Sequence, residues 1–158
     1  MNYLITIRCY GTWLHGDERG SVDRFHNQPG EALLEPNADL ENYRRQLQKY
    51  PPMRLNAAAR QLVNNTIREV ARFRGWEIIE LNVLSNHVHV VVTAHDNVKP
   101  EKIMNDFKAR ATLLLRKHKL VDPDAKVWEY HGSTRWLNDA QAVEAACRYV
   151  REQNEPRA

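Results

Sequence analysis

Two histidines stand one residue apart at His87-Val88-His89, within the run Asn86-His87-Val88-His89-Val90-Val91-Val92. In a strand, successive side chains alternate between faces, so His87, His89 and Val91 share one side and Val88, Val90 and Val92 the other. Three valines in register want a core, which places both imidazoles next to each other on the opposite face. Each neutral imidazole offers one ring nitrogen as a ligand, so the pair can meet at one divalent cation. The competing reading is a pair of half-exposed strand histidines with no ligand. A second group lies near the end of the chain, where Tyr149 and Gln153 are one helical turn apart beside the apolar stripe Val143, Ala146, Cys147 and Val150. The Gln153 amide oxygen can complete a hard-cation site. Tyr149 on its own reads as a packing residue whose hydroxyl reaches water.

These residues need elements to hold them. Tyr3 to Tyr10 reads as a first strand, rich in β-branched and aromatic types. Gly11 to Pro52, with Gly11, Gly16, Gly20, Gly30, Pro29, Pro36, Pro51 and Pro52, reads as a loop-rich insertion with a short helix over Ala38–Lys49. From Asn56 the spacing of Leu62, Val63, Thr66, Ile67, Val70 and Phe73 predicts a helix that Gly75 stops. Trp76 to Leu84 and His87 to Thr93 then form a hairpin around Ser85-Asn86. A second amphipathic helix runs from about Glu101 to His118, burying Ile103, Phe107, Ala111, Leu114 and Leu115. Val127 to His131 and Thr134 to Leu137 read as two short strands. Asn138 or Asp139 caps a last helix that continues towards Gln153, with Gln141 placed for a capping box with Asn138. The order fits an α+β domain over residues 1–158: a ferredoxin-like antiparallel sheet, β-α-β-β-α-β plus a C-terminal helix, with two helices on one face.

Composition agrees with one soluble domain. The chain has 158 residues, 42% of them apolar and 27% charged. No stretch is apolar enough for a membrane helix, and the N-terminus lacks the pattern of a signal peptide. Cys9 and Cys147 have no CxxC spacing, which excludes a thiolate zinc site or disulfide scaffold and suits a reducing cytoplasm. Net charge is only +3, yet five arginines (54, 60, 68, 72 and 74) face Glu69 alone between Arg54 and Gly75. Seven Lys/Arg face Glu101 and Asp106 between Lys99 and Lys119. Such clusters suit a polyanion partner, and equally suit two solvated helix faces.

Together, His87-Val88-His89 on a strand, Tyr149 with Gln153 on the last helix, and the element order resemble the HUH endonuclease superfamily. The similarity is to its single-tyrosine branch, the IS200/IS605-type and REP-associated tyrosine transposases, and it covers most of the chain outside Gly11–Pro52. The resemblance implies that His87, His89 and Gln153 hold Mg²⁺ or Mn²⁺ at the scissile phosphate of single-stranded DNA. It implies that Tyr149 attacks the phosphorus, leaving a 5′-phosphotyrosine link and a free 3′-OH. Arg60, Arg68, Arg72, Arg74, Lys108, Arg110, Arg116 and Lys117 are then candidates to grip a DNA hairpin stem. Trp13, Trp128, Tyr130 and Trp136 are candidate stacking platforms. A homodimer sharing its tyrosine helices and a monomer using its own both fit.

Two other function classes compete. A non-catalytic single-stranded nucleic-acid-binding module of the same fold would keep its activity in EDTA. A metal hydrolase would use His87 and His89 with His95 or His131, and would not need Tyr149.

Overall fold

The computed structural model describes residues 1–12 and 50–155. The expected helix over 38–49, the body of the insertion, and Trp13 lie outside the described residues. Among the described residues seven elements follow one another: β1 (Asn2–Arg8), α1 (Ala57–Arg74), β2 (Glu77–Val83), β3 (His87–Thr93), α2 (Pro100–Lys117), β4 (Ser133–Leu137) and α3 (Ala140–Glu152). The strands make one antiparallel sheet in the order β2-β3-β1-β4, the ferredoxin-like arrangement.

Helix boundaries follow local chemistry. The Asn56 side chain accepts from Ala59 N at 2.8 Å and starts α1; Gly75, at φ +78°, ends it in the left-handed conformation. Pro100 stands at the first turn of α2, where its missing N–H costs nothing. Asp139 caps α3 by accepting from Ala142 N at 2.7 Å, so the Asn138–Gln141 capping box is not the one used.

α1 and α2 cover one face of the sheet, α3 part of the other. Ile5, Ile7, Val88, Val90 and Val92 face α1 and α2, where they pack with Val63, Ile67, Ile103, Phe107 and Leu115. Trp76 meets Phe107 edge to face, centroids 5.9 Å apart. A smaller cluster across the sheet joins Val91 and Leu137 to Ala146, Cys147 and Val150 of α3. Two expectations need correction. Phe73 is 84% exposed, because two residues beyond the buried Ala71 it points about 200° round the helix, away from the stripe that Ala59, Val63, Ile67 and Ala71 bury. Val127–His131 is not a strand, since only Trp128 bridges to Cys9.

The ends of the insertion meet. Met53 N donates to Tyr10 O at 2.8 Å, and Gly11 (φ +86°) lies against Pro52 so closely that a Cβ would stand 2.8 Å from it. The two described stretches that flank the insertion are therefore adjacent. No helix among the described residues is long and apolar enough to cross a membrane.

Candidate active site

β3 is a central strand, with Thr6 of β1 opposite His89 on one side and Asn82 of β2 opposite it on the other. Alternation along β3 turns His87, His89 and Val91 away from the main core. Val91 is sealed by α3, whereas the histidines extend into a cleft of about 910 Å³ between α3 and the sheet. The two imidazole centroids are 4.7 Å apart. His89 is 5% exposed, and its Nδ1 lies 2.9 Å from Thr6 Oγ1. His87 Nδ1 donates to Asn86 Oδ1 at 2.6 Å. With both Nδ1 atoms engaged, Nε2 is the nitrogen on each ring that would ligate a metal. Burial, helped by repulsion between a protonated ring and its neighbours His87 and Arg8, lowers the His89 pKa to about 4. His89 is therefore a neutral imidazole at physiological pH, the form that binds a metal.

α3 brings the other two residues. The Tyr149 ring is 5.3 Å from that of His89, and the tyrosine remains 48% exposed. Gln153 is the C-cap of α3 and has left helical geometry, yet its side chain lines the same cleft. The position of α3 is fixed from β2: Asn82 Nδ2 donates to Val150 O at 2.9 Å and to Gln153 O at 3.1 Å. Glu155 accepts from Ser85 N at 3.0 Å, at the tip of the hairpin that carries the histidines. His87, His89, Tyr149 and Gln153 are thus brought together within one chain.

The donor set fits a divalent ion that an anion completes. Imidazole and amide ligands bring no negative charge of their own, and no described residue lining the cleft is Asp or Glu. Among the described residues, no three His, Cys, Asp or Glu side chains gather as a metal site. His95 and His131 do not line the cleft; the His131 ring lies against Tyr130 instead. The three-histidine arrangement is therefore not formed with either of them.

The basic helices stand elsewhere. None of Arg60, Arg68, Arg72, Arg74, Lys108, Arg110, Arg116 and Lys117 lines the cleft, because α1 and α2 cover the opposite face. Several are engaged within the protein: Arg60 with Leu55 O, Arg68 with Asn64, Arg74 with Asp106, Lys108 with Glu129 O and Arg116 with Ala125 O. Of the stacking candidates, Trp128 is buried, with Nε1 donating to Thr112, and is no platform. Tyr130 and Trp136 are exposed, outside the cleft. The cations that do line it, Arg8 and Arg135, lie outside the two charge clusters; the signal for them is the strand alternation Leu4, Thr6, Arg8 and Ser133, Arg135, Leu137.

The family described as transposase, IS200-like, matches residues 42–153, a span holding both histidines, Tyr149 and Gln153. The chain belongs to this family. Among solved structures, this IS200-like transposase chain is similar to a REP-associated tyrosine transposase bound to a REP hairpin. The TM-score is 0.53 and the identity 12%, over 94% of this chain and 63% of that one. The chain thus spans less than two thirds of that relative's length. A Deinococcus radiodurans R1 protein described as a transposase matches with TM-score 0.50 and 10% identity, over 99% of this chain and 92% of that one. At such identities the likeness is one of fold. No curated protein matches the sequence.

Proposed function

We propose that this IS200-like transposase cuts and rejoins single-stranded DNA through Tyr149, with Mg²⁺ or Mn²⁺ held by His87, His89 and Gln153. The observation that carries this reading is the Tyr149 ring 5.3 Å from a buried, neutral His89 in a cleft without a described carboxylate. Such a cleft suits an anionic substrate. It also lacks, among the described residues, the carboxylate base expected of a metal hydrolase.

In the proposed step, Tyr149 Oη attacks the scissile phosphorus and the bond from phosphorus to the 3′ oxygen breaks. The phenol gives up one proton and the departing 3′ oxygen takes one up, so the step is proton-neutral overall. The product is a tyrosine phosphodiester on the 5′ end, which conserves the bond energy for a later attack by another 3′-OH. The bound ion would polarise the phosphate and stabilise charge on its oxygens. Thr6 and Asn86 hold the imidazoles in place, and Asn82 and Glu155 hold the helix that carries the nucleophile. Because Tyr149 stands beside the histidines of its own chain, we assign cleavage to a single chain, with no second copy needed.

The hairpin bound by the structural relative supports a hairpin substrate here. The basic residues of α1 and α2 would then meet a stem that passes round the edge of the sheet, positioning it without reading sequence. The test uses end-labelled single-stranded hairpin DNA from the flanking genomic sequence, with Mn²⁺, on a denaturing gel. The label should move to the protein, and should not do so with EDTA or with Tyr149→Phe. A gel shift that survives EDTA, with no adduct in any lane, would instead make the protein a binding module.

A further inference from the structure

Beyond the four residues of the proposed reaction, the cleft continues across an open strip of sheet. α3 covers the strip only partly, because the residues it turns that way are small: Ala142 and Ala145 precede Tyr149 on the same helix face. The floor here is Leu4 of β1, and opposite Leu4 in the β4 register stands Arg135. At the other end Arg8 pairs in register with His87. Arg8 stands four steps along β1 from Leu4, so the two arginines lie about 13 Å apart along the strands and one strand, about 5 Å, across. The cleft's 910 Å³ is more than an ion and one phosphate require. Arg135 is exposed, and its guanidinium has no hydrogen-bond or ion-pair partner among the described residues, unlike several of the helix-borne cations.

We propose that this strip binds an unpaired nucleotide next to the cleaved phosphate. Arg135 holds that nucleotide's phosphate, and its base rests in the apolar alcove formed by Leu4, Ala142 and Ala145. The inference rests on the reading that Tyr149 cleaves single-stranded DNA. Physically, the strip combines what an unpaired nucleotide presents: an anion for the arginine and a flat apolar surface for the aliphatic floor. An edge strand can also carry a charge merely to discourage pairing with other chains. The test must therefore read a phosphate contact and not stability alone.

The experiment compares wild type, Arg135→Gln and Ala145→Phe for binding to a single-stranded oligonucleotide spanning the cleavage site, across a salt series, and for adduct formation. Both substitutions are at exposed positions, and circular dichroism checks the fold. Arg135→Gln should bind about tenfold more weakly. The slope of log affinity on log salt should shrink by about one. Saturating DNA should restore its cleavage rate. Ala145→Phe should also weaken binding but leave the salt slope unchanged. A neutral methylphosphonate, walked along the strand, should abolish the difference between wild type and Arg135→Gln at one phosphate near the cleavage site. If wild type forms the adduct and both variants bind and cleave as it does, the strip is not the nucleotide site and the tyrosine reading stands. If wild type neither binds single strands nor forms an adduct, the tyrosine reading falls first and this one with it.

Discussion

Towards α1 and α2, the sheet presents Ile5, Ile7, Val88, Val90 and Val92, all at 1% exposure or less. Towards α3, the alternate positions of the same two strands are Leu4, Thr6, Arg8, His87, His89 and Val91. One face is closed by two long helices and filled with aliphatic and aromatic side chains. The other is half closed by one shorter helix, which seals Val91 and leaves the histidines at the edge of its cover. The difference teaches how the fold supports a site: β1 and β3 are pinned from behind by the main core, so polar residues in front of them are held without needing a core of their own. The cost of burying His89 is limited by Thr6, and the partial cover of α3 leaves the ring accessible to the cleft.

That comparison can be broken by substitutions that should affect one face only. The largest effect belongs to the cleft. Tyr149→Phe should lower adduct formation by at least about a thousandfold. It should change stability by less than about 0.5 kcal/mol, because the residue is half exposed. On the proposal that each chain uses its own pair, mixing Tyr149→Phe with His89→Ala should not restore activity; restoration would show that helices are shared between copies. Next comes the closed face. Phe107→Ala should destabilise by about 3–5 kcal/mol in urea unfolding. Cleavage per folded molecule should stay unchanged.

A pH series sharpens the contrast. Burial holds the His89 pKa at about 4 in the folded chain, against the ordinary imidazole value of 6.5 once unfolded. The unfolded chain thus takes up more protons between those values, and stability should fall as pH drops through that window, by up to roughly 3 kcal/mol in all. His89→Gln should remove most of that slope, while Phe107→Ala should keep it. The smallest effect concerns the link between α3 and β2. Asn82→Ala removes two hydrogen bonds to the end of α3 and should cost about 1–2 kcal/mol. Hydrogen exchange should show faster amides in α3 and unchanged ones in α1.

Much of the site was legible because strand alternation is strict. His87-Val88-His89 declared its two faces, and Tyr149 with Gln153 declared a shared edge of the last helix. The order of elements and the caps at Asn56 and Gly75 were legible for the same local reasons. What local pattern could not supply was placement across the sheet. The dense charge runs of α1 and α2 drew attention to the face that the cleft does not use, while Arg8 and Arg135, single cations on strands, looked unremarkable in sequence. Trp128 shows the same limit: its ring type suits stacking, but its bridge to Cys9 and its bond to Thr112 bury it. Phe73 continues the period of Thr66 and Val70 and still faces solvent, because the period alone does not say which edge of a wide apolar stripe the sheet covers.

The central claim is that Tyr149, set beside its own chain's histidines, takes the DNA onto its hydroxyl. The direct measurement is to form the adduct with Mn²⁺, digest protein and DNA, and find the nucleotide-bearing residue by mass spectrometry. The account predicts a single phosphodiester on Tyr149, on the peptide that ends at Arg151. A nucleotide on any other residue, or DNA cut with none retained on the protein, would contradict it.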